Sequence, residues 1–300
     1  MGGGLILISE NTMNKIDTSA KIHPNVKLGE YNRIGKNVVI DILSSNDNFQ
    51  VTIGDNNIIN DNTRILIHGD FHLGDWNVLH NDMLIIAEKY VYIGHNCWFG
   101  QNTILDGTGG LRIGNGVRVG MYSQVWTHVA SGEQIEGCTL FAQRETVIED
   151  DVWLVGSCVV GSGIKLSYRS IALINSVITK DTLPDRAYAG SPAKLMENAR
   201  FYIPKTLDEK FEMLENWLKE FTEIHSNQYV LHKFDNEVLI LITNDNSESV
   251  KFYKSNKSNK SNTDSIFILE NKTFRKTNST LERLVYKFLY GNKARFIPII

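Results

Sequence analysis

Cysteine is scarce in this 300-residue chain: Cys97, Cys138 and Cys158 are all there is. So few, so far apart, exclude a disulfide framework and a C-x-x-C zinc site. Long apolar runs are missing too, and nothing approaches the ~18 residues of a membrane-spanning helix. The N-terminus lacks a basic segment, and the apolar run Leu5–Ile8 is too short for a signal-peptide core. Met1-Gly2 is followed by Ile6 where a myristoylation signal needs Ser or Thr. No charge of one sign dominates: 31 Lys+Arg face 34 Asp+Glu, a net −3. A dedicated polyanion binder would show a basic excess, so a nucleic-acid partner is not expected. These absences predict a cytoplasmic protein without stable membrane insertion. Residues 1–12 read as a tag or an upstream start, because Met13 begins a sensible alternative. The most telling shortage is local: of 23 glycines, only Gly291 lies beyond Gly190. Two differently built regions share the chain.

What fills the first region is a repeat. Aliphatic-glycine pairs recur at Leu28-Gly29, Ile34-Gly35, Ile53-Gly54, Leu73-Gly74, Ile93-Gly94, Ile113-Gly114 and Val119-Gly120. The underlying spacing is six. Hexads begin at residues 22, 28 and 34; 53, 59 and 65; 73, 79 and 85; 93, 99 and 105; 113, 119 and 125; 148, 154 and 160; and 166, 172 and 178. Every start is Ile, Leu, Val or Phe except Ala172. Period two marks a half-buried strand and period 3.6 a helix; period six is neither. One inward aliphatic every six residues fits a short strand and a corner, repeated around a triangular coil. Gly, Asn and Asp suit the corners because they tolerate unusual backbone angles. Stacked coils pair strand on strand at about 4.8 Å and bury a column of aliphatics. Extra residues fall only after the third hexad of a group, so insertions leave at one corner. The spacing predicts a parallel β-solenoid of about seven coils.

Three stretches then carry a resemblance. Ile148-Glu-Asp-Asp-Val-Trp153-Leu-Val-Gly-Ser157 is followed by Ile178-Thr179-Lys180-Asp181 and Ala189-Gly190-Ser191-Pro192-Ala193-Lys194. Together they resemble the C-terminal signature of the hexapeptide-repeat acyltransferases, I-G-D-N-V-W-I-G, V-T-K-D and A-G-x-P-A-K. The resemblance covers about residues 22–198 and is closest to the sugar O-acetyltransferase branch. It implies a mainly β fold, a left-handed parallel β-helix, with the handedness coming from the resemblance alone. It implies a homotrimer with sites in the clefts between neighbouring copies. It also implies transfer of an acetyl group from acetyl-CoA to a sugar or sugar nucleotide, in surface polysaccharide biosynthesis. No metal is expected.

The matching general base is His128, in Val125-Trp126-Thr127-His128, just before the longest insertion, about 129–147. Thioester acyl transfer needs a base for the attacking hydroxyl or amine, and imidazole titrates near working pH. By register Asp106 lies beneath Trp126, and Thr108, Glu88 and His68 share the column of His128. Asn102 and Asp106 resemble the acceptor-contacting Asn and Asp of the family, and Trp126 offers an aromatic wall for a sugar. The plainer alternatives are a corner cap for Asn102, a solvated carboxylate for Asp106 and packing against a trimer neighbour for Trp126. On the donor side the resemblance assigns Trp153 and Ser157 to the pantetheine arm, Thr179 and Lys180 to the pyrophosphate, and Lys194 to the nucleotide phosphates. Relatives often carry a second basic residue three beyond Lys194; here it is Glu197, with Arg200 as a substitute. N-acylation of an amino sugar nucleotide remains open, and so does a non-catalytic β-solenoid scaffold. His68-Gly-Asp-Phe-His72 sits at a solenoid corner, a poor setting for an H-x3-H metal site.

The domain reading is therefore a leader over 1–21, the β-helix over 22–198, a linker and amphipathic helix over 199–227, and a small α+β domain over 228–300. Leu207, Phe211, Leu214, Leu218 and Phe221 put an apolar stripe on a helix over 207–226, expected to pack on the solenoid or a trimer neighbour. Strand-like stretches follow at 238–243, 250–253 and 266–270, then a helix near 281–290. From 228 to 300 there are 12 Lys+Arg against 7 Asp+Glu. The tract Lys254-Ser-Asn-Lys-Ser-Asn-Lys-Ser-Asn262 is low-complexity and reads as a mobile hairpin loop.

Overall fold

The computed structural model describes residues 13–44, 48–226, 228–255 and 265–299. Residues 1–12 and most of the Lys-Ser-Asn tract lie outside them. The chain divides between Tyr202 and Ile203 into two compact units.

The first unit is a three-sided parallel β-helix. Successive short strands visit three sheets in turn, so that each sheet collects every third strand. The first sheet runs through Ile34, Ile59, Leu79, Phe99, Val119, Leu154 and Ala172; the second through Ile40, Ile65, Ile85, Leu105, Val125, Val160 and Ile178. The third, of seven strands, runs through Leu28, Ile53, Leu73, Ile93, Ile113, Ile148 and Leu166. All but Ile40 are the hexad starts, and most are fully buried in one continuous core. Each buried aliphatic contributes about 1.5–3 kcal/mol, repeated coil after coil.

The hexad pattern undercounts at both ends. Lys15–Ile16 already pairs with Arg33–Ile34, so the solenoid begins within the expected leader. Ile40 is a further inward position, paired with Ile22 and Ile65. At the far end Ala187–Gly190 extends the first sheet and Ala193–Leu195 closes it in an antiparallel hairpin. Every insertion leaves between the second and third sheets.

The corners explain the residue types. Between the first and second sheets Asn37, Asn62, Asp82, Asn102, Tyr122, Ser157 and Asn175 all adopt left-handed backbone angles, with φ between 48° and 61°. Between the third and first sheets a buried asparagine ladder satisfies the backbone. Asn14, Asn32, Asn57 and Asn77 each accept a main-chain N–H from the coil above, the last from Cys97. Unpaired buried amides would cost about 1–3 kcal/mol each.

In the second unit helix α1 (Leu207–Ile224) starts at a Thr206–Glu209 capping box. A six-stranded sheet and helix α2 (Thr280–Leu289) follow. The apolar stripe of α1 lies on this unit's own elements: Phe221 meets Tyr229 and Phe288 at ring-centroid distances of 5.2 and 5.5 Å. Lys293 pairs with Glu220 at 2.7 Å. The helix is thus part of the second unit rather than a separate linker element. An aromatic core of Phe252, Phe267, Phe274, Tyr286 and Phe296 joins sheet to helix. Among the described residues no helix is long and apolar enough to cross a membrane.

Candidate active site

The longest insertion opens as an antiparallel hairpin: His128–Ala130 pairs with Phe141–Gln143, placing Gln143 opposite His128. It leaves from the strand Gln124–Val125, which lies directly above Ile104–Leu105. The corner below is Asp106-Gly-Thr-Gly-Gly110, and it can be this tight only because of its glycines. A Cβ on Gly109 would stand 2.2 Å from Thr127 O, and Gly110 adopts φ +98°. With no side chain at Gly109, its N–H donates to Thr127 Oγ1 at 2.8 Å.

This close approach closes Asp106 off from solvent; its side chain is 1% exposed. Every oxygen is occupied from within. Oδ2 accepts from Thr127 N–H, from the Thr127 hydroxyl and from His128 Nδ1, each at 2.8 Å. Oδ1 accepts the Thr108 hydroxyl at 2.6 Å. Burial alone would push the carboxyl up, but the hydrogen bonds from Thr108, His128 and Thr127 outweigh it and hold it below its ordinary value. Asp106 is therefore an ionised acceptor. Its partner nitrogen must donate, which puts a proton on His128 Nδ1, so that in the neutral ring the lone pair is on Nε2. The His128 side chain is 38% exposed, so that lone pair can meet a ligand. Trp126 packs edge-on against the imidazole, 5.9 Å between centroids, with its Nε1 donating to Gln124.

Asp106 was expected to contact the acceptor or to be solvated. Neither fits the geometry: Asp106 is buried, its oxygens are taken up by Thr108 and Thr127, and it is bonded to His128. Asn102 lies at the preceding corner, exposed, in the left-handed column that also contains Ser157. Its backbone conformation accounts for its residue type, and the chain does not bring it to His128. Trp153 projects from the first sheet between Arg118 and Ile171, half-exposed. Thr179 and Lys180 are exposed on the edge that carries His128; Val160 pairs with Ile178, which sets Gly161 beneath Thr179. Trp126 and Thr179 are thus two strand spacings apart, roughly 10 Å. Lys194 is exposed on the closing hairpin opposite Ala189. Arg200 donates to the carbonyls of Glu197 and Ala199, tied to its own turn.

The expected site residues thus fall on two edges of the prism. Asp106, Trp126, His128, Thr179 and Lys180 share one; Asn102 and Ser157 share another, with Trp153 beside it. Gly109 and Thr127 were given no role from the sequence, and Thr108 only a place in the column of His128, although Asp106-x-Thr108 carries an Asx-turn signal.

No family model matches the chain. Among solved structures it is similar to the polySia-specific acetyltransferase NeuO at 18% identity over 71% of this chain and 99% of that one, with a TM-score of 0.42. It is similar to the polysialic acid O-acetyltransferase OatWY at 16% identity, over 64% and 89%, with a TM-score of 0.38. A third is the hexapeptide-repeat acetyltransferase VCA0836 from Vibrio cholerae O1 biovar eltor, at 18% identity over 62% and 70%, with a TM-score of 0.27. The likeness is too slight to carry a donor, an acceptor or a catalytic residue across.

Proposed function

We propose that the protein is an acyl-CoA-dependent acyltransferase that acetylates a hydroxyl of a sugar or sugar nucleotide, with His128 as general base. The observation that supports this reading is the Asp106–His128 pair. A buried ionised carboxylate is expensive unless fully hydrogen-bonded. Here its bonds fix one tautomer of a half-exposed imidazole and leave the other nitrogen outward. That arrangement suits proton abstraction, and a structural scaffold has no need of it.

In the proposed reaction Nε2 takes the proton of the attacking hydroxyl as its oxygen bonds to the thioester carbonyl carbon. The tetrahedral intermediate collapses by breaking the carbon–sulfur bond, and the imidazolium returns the proton to the departing thiolate. Asp106 stabilises the imidazolium meanwhile and does not itself take the proton. Thr179, Lys180 and Lys194 suit the anionic end of the acyl donor, which is a substrate. Trp153 and Ser157 lie away from the base within one chain. They contribute to the same site only if copies associate edge to edge, which favours the homotrimer expected from the resemblance.

The test is thiol release from acetyl-CoA against hydroxyl sugars, amino sugars and sugar nucleotides, with His128→Ala alongside. The reading requires release with a hydroxyl acceptor and its loss in the variant. Full activity in His128→Ala would overturn the base assignment, release only with amino acceptors would favour N-acylation, and failure to bind any acyl-CoA would favour a scaffold.

A further inference from the structure

The carboxylates around the catalytic corner are already committed. Asp106 is saturated by Thr108, Thr127 and His128. Glu145 accepts from Tyr90 at 2.5 Å and from Arg112 at 2.7 Å. Glu149 pairs with Lys165 at 2.6 Å and accepts the N–H of Tyr168. Asp181 accepts the N–H of Lys165. The neighbouring cations Arg112 and Lys165 are neutralised by these same groups. Arg144 is not: among the described residues its guanidinium has no hydrogen bond, ion pair or aromatic partner.

Arg144 is exposed, but its main chain and stem are held. Arg144 follows Gln143, the cross-strand partner of His128. Its N–H donates to Thr127 O at 2.8 Å, one residue from the base. Its stem lies over Gly163, where φ is +76° and a Cβ would stand 3.0 Å from Arg144 Cβ and 3.1 Å from Cδ. Gly163 belongs to the coil above the base, on the edge that Thr179 and Lys180 continue. An exposed arginine whose stem lies along a glycine near His128, with no internal counter-charge, has its donors available to an anion. A guanidinium presents parallel donors matched to carboxylate or phosphate.

Resting on the acyltransferase reading above, we propose that Arg144 binds an oxyanion of the acceptor, a carboxylate or phosphate near the hydroxyl being acylated, so that the enzyme selects acidic sugars. The donor does not supply this anion. In coenzyme A the phosphates lie at the far end of the pantetheine arm from the thioester. Arg144 is bonded through its main chain to Thr127, the neighbour of His128, so on this reading its side chain serves the reacting end of that arm.

Two measurements on the full chain test this. Equilibrium binding of glucose, glucuronate and glucose 6-phosphate is compared in wild type, Arg144→Gln and Arg144→Lys, and binding of acetyl-CoA is measured in the same proteins. Wild type should bind at least one acidic probe more tightly than glucose. Arg144→Gln should weaken that binding about tenfold or more, Arg144→Lys should recover part of it, and acetyl-CoA binding should not change. Glucuronate and glucose 6-phosphate distinguish carboxylate from phosphate. Equal binding of acidic and neutral probes, or an Arg144→Gln protein within twofold of wild type, overturns the proposal. A loss confined to acetyl-CoA overturns it too, by placing the anion on the donor. If wild type binds no acetyl-CoA, the acyltransferase reading fails, which is a different result.

Discussion

Asp106 Oδ2 lies 2.8 Å from His128 Nδ1, joining residues 22 apart in sequence and one coil apart in the solenoid. The pair exists because strands 104–105 and 124–125 stack in register and the chain turns the same corner after each. A carboxylate placed there orients the ring. It has no free lone pair for a substrate.

Asp106→Asn separates these roles. An amide can offer its N–H to Nδ1 and stabilise the wrong tautomer, so turnover should fall about a thousandfold or more, as it does where orienting carboxylates support acyl transfer. The acceptor KM should stay close to wild type. Steady-state kinetics decide the matter: a raised acceptor KM with little change in kcat would return Asp106 to an acceptor contact.

The same carboxylate makes a statement about pH. Its folded pKa lies below its ordinary value, so its ionised form stabilises the fold. That stabilisation is complete above the unfolded pKa near 4 and is lost as pH falls through the depressed folded value. Wild type should therefore be more stable than Asp106→Asn from neutral pH down to about 4, with the gap closing only at lower pH. Paired urea titrations at a series of pH values measure it. A gap that is constant down to pH 2 would contradict the depressed pKa.

Much of this architecture was legible because one aliphatic per hexad is a one-dimensional code. Ile65, Ile85, Leu105 and Val125 could be aligned by counting. What counting could not give was the direction of Asp106. In an ideal strand it follows the inward Leu105 and faces out, and it was read as solvated or substrate-facing. It is buried because the next coil folds Thr127 and His128 over it, a consequence of glycines at 107, 109 and 110 acting across coils. Ile16 needed no new signal: it lies six residues before Ile22, and starting the count at Ile22 left it out. The stripe of α1 was visible, but an amphipathic face says only that something covers it. The groups that do so, Tyr229 and Phe288 among them, come from a strand and a helix after residue 228.

Gly109 tests the close approach directly. In Gly109→Ala the new methyl meets Thr127 O at 2.2 Å and Arg144 N at 2.6 Å, both backbone, so nothing can swing aside. Overpacking of this kind costs about 1–3 kcal/mol. The displaced peptides are those that aim Thr127 at Asp106 and lead into His128. Turnover should drop by at least tenfold while circular dichroism keeps its β-sheet signature. Unchanged turnover would mean that the 107–110 corner does not hold the base in place.

Glu282 offers a test confined to the second unit. It is 1% exposed. Its Oε2 accepts the hydroxyls of Ser265 and Thr277 at 2.5 and 2.8 Å and the N–H of Thr277 at 2.7 Å, while Oε1 accepts the N–H of Asn278 at 3.1 Å. One carboxylate thus ties the strand Ser265–Ile268 to the turn that begins α2. Glu282→Ala strands these donors in a site closed to water, a loss of about 3 kcal/mol or more. Trp217 is the only tryptophan beyond residue 202, so its fluorescence, taken as the difference between proteins with Trp217 and with Trp217→Phe, reports this unit alone. Its urea midpoint should fall clearly in Glu282→Ala and recover only in part in Glu282→Gln, which keeps an acceptor but not the charge. A midpoint unmoved by either variant would mean that the aromatic core of Phe252, Phe267, Phe274 and Tyr286 holds strand and helix together without the carboxylate.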